Sequence, residues 1–210
     1  MRPSHILWDF NGTILDDVDA CIRSINELLV KYGNDPIPDL ETYRNVFGFP
    51  VKDYYEKVGF DFDKISFDAL AVEWVDLYLK YSKPSKLCPN VIPALMAVRS
   101  AGIPQLILTA SLVDMVEDQL SELGIGDYFD GIIGKDNIHA HGKTDIALSW
   151  YEKNRPVRPV MIGDTAHDAE VADAIGAECI LVSCGHMSVE KLSALKPVYP
   201  DPLRAVMSIL

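Results

Sequence analysis

The strongest constraint on the fold is a series of short apolar segments, most of which are separated by amphipathic stretches of helical length. Segments this short, bounded by turn residues, are typical of strands that are buried on both faces of a parallel sheet. The helical stretches between them supply the crossover connections that parallel strands need. The sequence therefore predicts an α/β fold, with a doubly wound, Rossmann-like parallel sheet as its core. The predicted strands lie near residues 5–8, 106–108, 132–133, 160–162 and 179–182.

One long stretch, residues 16–85, interrupts this alternation because it contains no strand-like pattern. Within it, residues 17–32 and 67–81 carry apolar side chains at helical spacing. We therefore expect an all-helical insert at 16–85. It would be spliced between the first strand and the rest of a core made of residues 1–15 and 86–210.

The charge balance excludes several classes of partner. The chain has 19 Lys and Arg residues against 31 Asp and Glu residues, a formal net charge of −12. Nucleic acids and anionic membranes are bound by basic surfaces, so we expect neither as a partner. A small phosphorylated molecule stays possible, because one bound cation can reverse the sign of the charge at a single site.

The lengths of the apolar runs and the pattern of cysteines indicate the cellular compartment of the protein. No apolar run is long enough to span a bilayer, and no secretory signal is visible. The four cysteines, Cys21, Cys88, Cys179 and Cys184, are scattered and form no C-x-x-C pair. We expect reduced thiols and a cytoplasmic protein, and the sequence leaves the oligomeric state open.

Polar residues follow three of the predicted strands at the point where each strand ends. Asp9, Thr109 and Asp164 occupy these positions. In an open α/β sheet, ligands bind beyond the carboxyl ends of the strands. Any one of these residues could simply cap a helix or form a turn. All three together predict a binding crevice at one edge of the sheet.

Four motifs occur in an order that is typical of one enzyme family. The chain has DFNGT at 9–13 after its first strand, Thr109 after the second, Lys143 before a helix, and GDTAHD at 163–168. In this order the motifs resemble those of the haloacid dehalogenase-like hydrolases, and the resemblance covers the whole chain. It implies Mg²⁺-dependent removal of a phosphoryl group from a small phosphorylated metabolite.

The resemblance also implies roles for the acidic residues. Asp9 would be the nucleophile that attacks phosphorus and forms an aspartyl-phosphate. Asp9, the backbone carbonyl of Asn11 and Asp164 would be ligands of Mg²⁺, which prefers oxygen donors. Asp168, four residues after Asp164, would help to hold the metal or its waters. Alternatively, Asp168 is a carboxylate that stabilises the start of a helix.

The remaining implied roles concern the substrate. Thr109, with the N–H groups of Ala110 and Ser111 at a helix start, would hold phosphate oxygens. Lys143 would bring positive charge to Asp9 and the phosphoryl group; otherwise it is a solvated lysine.

Residues 16–85 would form a helical cap, and the R-x-x-x-G-x-P segment at 44–50 resembles the phosphoglycolate-phosphatase-like branch. Arg44 within it could pair with a substrate carboxylate, or it could be an ordinary surface arginine.

The sequence departs from this pattern at Asn11, where most related phosphatases have an Asp that protonates the leaving group. A carboxamide cannot carry that proton at neutral pH, and losing a general acid typically costs about 10²–10⁴-fold in rate. A weakly active phosphatase, a phosphatase for good leaving groups, or a non-catalytic phosphate- and Mg²⁺-binding regulatory protein would each accommodate Asn11. Another group, such as a water, could also carry the proton, although residues 16–85 contain no histidine. A further alternative is a phosphonate hydrolase that uses Lys52 as a Schiff-base former.

Overall fold

A parallel sheet organises the computed structural model, which describes residues 2–135 and 142–210. The described residues form six parallel strands in the order β3-β2-β1-β4-β5-β6. The strands are β1 (His5–Trp8), β2 (Gln105–Leu112), β3 (Gly131–Lys135), β4 (Pro159–Gly163), β5 (Glu178–Val182) and β6 (Val198–Tyr199). The helices are α1 (Val18–Lys31), α2 (Leu40–Val46), α3 (Val51–Lys57), α4 (Phe67–Tyr81), α5 (Val91–Ser100), α6 (Val113–Leu123), α7 (Lys143–Asn154), α8 (Ala166–Ala174), α9 (Val189–Ser193) and α10 (Pro202–Met207). Within these described residues, no helix is long and apolar enough to cross a membrane.

The central strand β1 is buried on both faces, as its continuous apolar run predicts. Ile6 and Trp8 belong to a core cluster that also contains residues of α5, α6 and α10. Leu7 points the other way, into a second cluster with residues of α7, α8 and α9. Helices therefore cover both faces of the sheet, and the predicted α/β fold is confirmed.

Two local predictions at the strand ends are wrong. Strand β2 continues beyond residue 108 to Leu112, because it pairs further with β3 after a register shift and Leu112 lies opposite Lys135. Helix α6 begins only at Val113, so Ser111 belongs to the strand and does not cap the helix. The strand β6 does not appear among the predicted strands, because a two-residue segment has no periodicity to detect.

Helices α1 to α4 form a helical segment, residues 18–81, with a hydrophobic cluster built entirely from its own side chains. The chain enters and leaves this segment at adjacent points. The N–H of Asp16 donates to the carbonyl of Lys86 at 2.8 Å, and Leu15 forms an antiparallel bridge with Leu87. This pairing holds the helical segment at the edge of the sheet where β1 ends.

Candidate active site

Three aspartate carboxylates meet at the carboxyl edge of the sheet. Asp9 follows β1, and Asp164 follows the neighbouring strand β4. Asp168 lies in the first turn of α8. One carboxylate oxygen from each of the three lies within 4.8 Å of the others, and all three residues are buried. The structure thus brings together the three acidic residues that the sequence singled out.

The Lys143 side chain enters this cluster from the start of α7. Its Nζ donates to Oδ1 of Asp9 and, at 2.6 Å, to Oδ1 of Asp168. Burial disfavours the charged ammonium, but the carboxylates of Asp168 and Asp9 outweigh burial and raise the pKa of Lys143. The alternative of a solvated lysine is wrong, since the residue is 4% exposed.

The two carboxylate oxygens of Asp168 accept hydrogen bonds from different partners, one from Lys143 and the other from the start of α8. Its Oδ2 accepts hydrogen bonds from the N–H of Asp164 at 3.2 Å, the N–H of Thr165 at 3.0 Å and the Thr165 hydroxyl at 2.7 Å. Gly163 makes room for it, because a Cβ there would lie 2.3 Å from Cγ of Asp168. Asp168 therefore stabilises the helix start and also contacts the cluster. Burial raises its pKa, but Lys143 and Thr165 more than offset this, and the pKa of Asp168 is lowered.

Asp164 is held by two partners to which the sequence analysis assigned no role. The Thr13 hydroxyl donates to Oδ1 at 3.2 Å, and the backbone N–H of His186 donates to Oδ2 at 2.6 Å. Burial raises the pKa of Asp164 to about 6. The loop after β5 is pressed against this carboxylate, since a Cβ on Gly185 would lie 2.0 Å from Oδ2.

The carboxamide of Asn11 has partners at both ends. Its Nδ2 donates to Oδ2 of Asp17 at 2.8 Å and to the Tyr78 hydroxyl at 3.0 Å. Its Oδ1 accepts from the Ser111 hydroxyl at 3.0 Å. These contacts link the sheet edge to helix α4 of the helical segment, and they fix the orientation of the amide.

A buried ion pair, His186 with Asp17, lies beside Asn11. The His186 Nε2 is 3.1 Å from Oδ1 of Asp17, and Nδ1 is 2.9 Å from the Tyr43 hydroxyl oxygen. Burial disfavours the imidazolium, but Asp17 outweighs burial and raises the pKa of His186 to about 9. Sequence reasoning missed this pair, and the only signal was that His186 follows the end of a predicted strand.

The three residues predicted to hold phosphate lie along the end of β2. Thr109 is buried, and its Oγ1 accepts a hydrogen bond from the N–H of Ser111 at 3.1 Å. Thr109, Ala110 and Ser111 all line a cavity of about 570 Å³ that opens between the sheet edge and the helical segment. Asp9 and Lys143 line the same cavity. These N–H groups belong to the end of a strand, not to a helix start as predicted.

Two residues of the helical segment lie away from their predicted sites. The Arg44 guanidinium donates to the carbonyl oxygens of Gly185 at 2.8 Å and Cys184 at 2.7 Å, and Arg44 is not among the described residues that line the cavity. It braces the loop after β5 and does not face a substrate. Lys52 is exposed, with Nζ 5.4 Å from the centre of the Phe62 ring, and it also lies outside the cavity lining. Its position gives no support to a Schiff-base role.

The charges of the cluster suit a divalent cation. The cluster contains three buried carboxylates and the Lys143 ammonium, which contacts two of them, so its formal charge is −2. Uncompensated charge is costly inside a protein. Burial and the charge of Asp168 raise the pKa of Asp9 well above its ordinary value, even though Lys143 acts in the opposite direction. Carboxylate oxygens are donors that Mg²⁺ prefers, so the residues present fit this ion.

Residues 6–182 match the family model described as haloacid dehalogenase-like hydrolase. The chain is 25% identical to a phosphoglycolate phosphatase of Pseudomonas putida, with 98% of this chain and 79% of that protein covered. It is 24% identical to tyrosine-protein kinase PtkA of Mycobacterium tuberculosis, over 88% of this chain and 63% of that protein.

Solved structures share the fold. A hydrolase of the haloacid dehalogenase-like family from Streptococcus pneumoniae superimposes with a TM-score of 0.77, at 24% identity and with 99% of both chains covered. At this level of identity the likeness concerns the architecture alone.

Proposed function

Because this chain belongs to the haloacid dehalogenase-like hydrolase family, we propose that it is a phosphatase that removes the phosphoryl group from a small phosphate monoester at Asp9. The observation that carries this proposal is the buried cluster of Asp9, Lys143, Asp164 and Asp168, of which Asp9, Lys143 and Asp168 line the cavity. Similarity to a phosphoglycolate phosphatase along nearly the whole chain supports the same reaction class.

In the proposed reaction, a carboxylate oxygen of Asp9 attacks phosphorus and the ester oxygen leaves. Water then hydrolyses the resulting aspartyl-phosphate and regenerates Asp9. Lys143 holds Asp9 in place through its contact with Oδ1. The end of β2, from Thr109 to Ser111, lines the same cavity as Asp9, and we propose that it binds phosphoryl oxygens there.

We assign Mg²⁺ as the cofactor, held by Asp9, Asp164 and the backbone carbonyl of Asn11, with Asp168 beside it. When bound, the ion supplies positive charge that offsets the repulsion between the carboxylate and the phosphoryl group. The −2 charge of the cluster supports this assignment. Hydrogen bonds from Thr13 and His186 hold Asp164 in position for that role.

We further propose that residues 16–85 act as a cap, and residues 1–15 and 86–210 as the catalytic core. Contacts from Tyr43 and Tyr78 to His186 and Asn11 support this division, because they seat the helical segment directly over the carboxyl edge of the sheet. A closed cap would exclude water and contact the part of the substrate beyond the phosphate.

A small substrate and a cytoplasmic location are also parts of the proposal. The cavity of about 570 Å³ suits a metabolite-sized ligand. All four cysteines carry free thiols, as a reducing compartment would maintain them.

Asn11 favours a second candidate function, in which the protein binds phosphate and Mg²⁺ with little or no turnover. Its carboxamide is held by Asp17, Tyr78 and Ser111, and it cannot deliver a proton. Such a protein would use the same cluster for binding alone.

The test is phosphate release from a panel of monoesters by the full chain, with Mg²⁺ and with EDTA. We expect turnover that needs Mg²⁺ and falls at least about 10³-fold in Asp9→Asn. Asp118→Asn, on the exposed face of α6, is the matched control and should keep wild-type turnover. Mg²⁺ and phosphate binding without any turnover would support the second candidate instead.

A further inference from the structure

The helical segment lines its side of the cavity with aromatic rings. We propose that the leaving group of the substrate is an aromatic ring carrying the ester oxygen, so that the enzyme takes aryl phosphates. This inference rests on the proposed phosphatase function. The rings that face the cavity are Phe47, Phe49, Tyr54, Tyr55, Phe67 and Trp74.

One face of α4 shows that this wall is arranged toward the cavity and not only toward the core. Phe67, Ala71, Trp74, Val75 and Tyr78 follow one another at helical spacing, and all five line the cavity. Phe67 and Trp74 are only half-buried, and Val75 is 46% exposed. Apolar surface left open to a cavity beside the catalytic cluster fits an apolar part of a ligand.

The charges argue against an acidic leaving group such as glycolate. Among the described residues of the helical segment, no Lys, Arg or His lines the cavity. Arg44 is committed to the carbonyl oxygens of Cys184 and Gly185. Two of the rings, Phe47 and Phe49, contact His186 and His167, but these histidines already pair with Asp17 and Glu170. A carboxylate on the leaving group would have to compete with those carboxylates for a cation, and burying it unpaired is costly.

Among the described residues, the Lys and His side chains that line the cavity belong to the core and not to the helical segment. Lys143 and His186 are already paired with carboxylates. Lys135 lies at the carboxyl end of β3, and His167 is in the first turn of α8. The phosphoryl group would therefore bind on the sheet side, and the leaving group would extend toward the rings.

Asn11 points to the same substrate class from the chemistry of the bond that breaks. Asn11 has no proton to give, so it favours a leaving oxygen that can depart as its anion without a general acid. An aliphatic alkoxide is about as basic as hydroxide, so it leaves very slowly unless an acid protonates it. A phenol like that of tyrosine has a pKa of about 10, so a phenolate leaves without an acid far more readily.

An aryl phosphate would react in two steps whose bonds and charges balance. An oxygen of Asp9 bonds to phosphorus, while the phosphorus–oxygen ester bond breaks and its electron pair leaves with the phenolate. Water then attacks the aspartyl-phosphate, which releases inorganic phosphate, regenerates the Asp9 carboxylate and yields one proton. The phenolate takes up that proton, so no oxidant, reductant or second substrate is needed.

Three probes separate ring recognition from leaving-group chemistry in the Mg²⁺-loaded full chain. Phenyl phosphate has both a ring and a weakly basic oxygen, benzyl phosphate has a ring on an aliphatic oxygen, and 2-phosphoglycolate has an acidic group without a ring. We expect phenyl phosphate to exceed phosphoglycolate by at least about 10² in kcat/KM. It should exceed benzyl phosphate by about 10²–10⁴ in kcat at similar KM.

Variants test ring recognition and leaving-group chemistry separately. Trp74→Ala and Phe67→Ala should each raise KM for phenyl and benzyl phosphate about tenfold, which corresponds to about 1.4 kcal/mol. Leu79→Ala, an exposed position on α4, is the matched control and should leave KM unchanged. Asn11→Asp should raise kcat for benzyl phosphate much more than for phenyl phosphate.

Preference for phosphoglycolate, or equal kcat for benzyl and phenyl phosphate, would overturn the aryl assignment while Asp9-dependent turnover still upheld the phosphatase. Unchanged KM in both aromatic variants would also overturn it. Failure to hydrolyse any of the three probes would count against the phosphatase function and this inference together.

Discussion

Replacing Lys143 by methionine should expose how strongly the acidic cluster depends on one ammonium. The side chain is 3% exposed, and it contacts Asp9 and Asp168, whose side chains are 11% and 1% exposed. Methionine keeps much of the length and apolar volume but removes the charge. Removing one partner of a buried ion pair typically costs about 3–5 kcal/mol, so we expect that loss in the free energy of unfolding near neutral pH.

The loss should depend on pH with a definite sign. In the wild type, Lys143 helps to hold the pKa of Asp168 below its ordinary value. This stabilisation is present above the unfolded pKa of about 3.9 and is lost as the pH falls through the lower folded pKa. Without the ammonium, burial and mutual repulsion raise the folded pKa of both carboxyls. The folded variant then binds more protons than the unfolded chain, so the variant becomes less stable as the pH rises.

The assay is urea denaturation followed by tryptophan fluorescence, in EDTA, at pH 5 and pH 7.5. The deficit of Lys143→Met should be larger at pH 7.5, and Mg²⁺ should reduce it because the ion restores positive charge. Lys31→Met is the control, since Lys31 pairs with Glu73 at 2.9 Å on the surface and should matter far less. Equal deficits in the two variants, or no dependence on pH, would refute this account of the cluster.

Three further outcomes follow from the same edge of the sheet. In Gly185→Ala the new Cβ would lie 2.0 Å from Oδ2 of Asp164, so we expect a lower Tm and lost phosphatase turnover. Arg44→Met removes two hydrogen bonds to the carbonyl oxygens of Cys184 and Gly185. It should cost about 1.5–3 kcal/mol in urea denaturation and leave the KM for phenyl phosphate nearly unchanged. Mg²⁺ should raise the Tm of the wild type in a thermal scan but not that of Asp164→Asn, because the variant lacks a ligand charge.

Local patterns were enough to predict the buried strands. Apolar runs near residues 5–8 and 160–162 predict β1 and β4, which the structure places side by side. The same patterns could not predict that β2 extends to Leu112, because its last residues depend on pairing with β3. A strand's limits are set by its neighbour, and that neighbour is distant in the sequence.

For the candidate site, too, the sequence predicted some residues and missed others. Motif spacing singled out Asp9, Lys143, Asp164 and Asp168, and the structure brings all four together. Their chemical roles stay predictions. The spacing did not reveal His186, whose ring reaches Asp17 across 169 positions of the chain. Such a contact leaves no local trace, because only packing of the helical segment onto the sheet creates it.

By itself, the sequence determined which side chains stand at the ends of the strands, because strand periodicity and turn residues are local properties. Only the tertiary structure decided what those side chains meet. It turned Arg44 away from the cavity and onto the carbonyl oxygens of Cys184 and Gly185. It also turned one face of α4 toward the cavity. From the sequence alone, the apolar stripe on that helix is equally consistent with packing in the hydrophobic core. The physical reason is that helical spacing specifies a face, whereas the docking of that helix specifies what the face contacts.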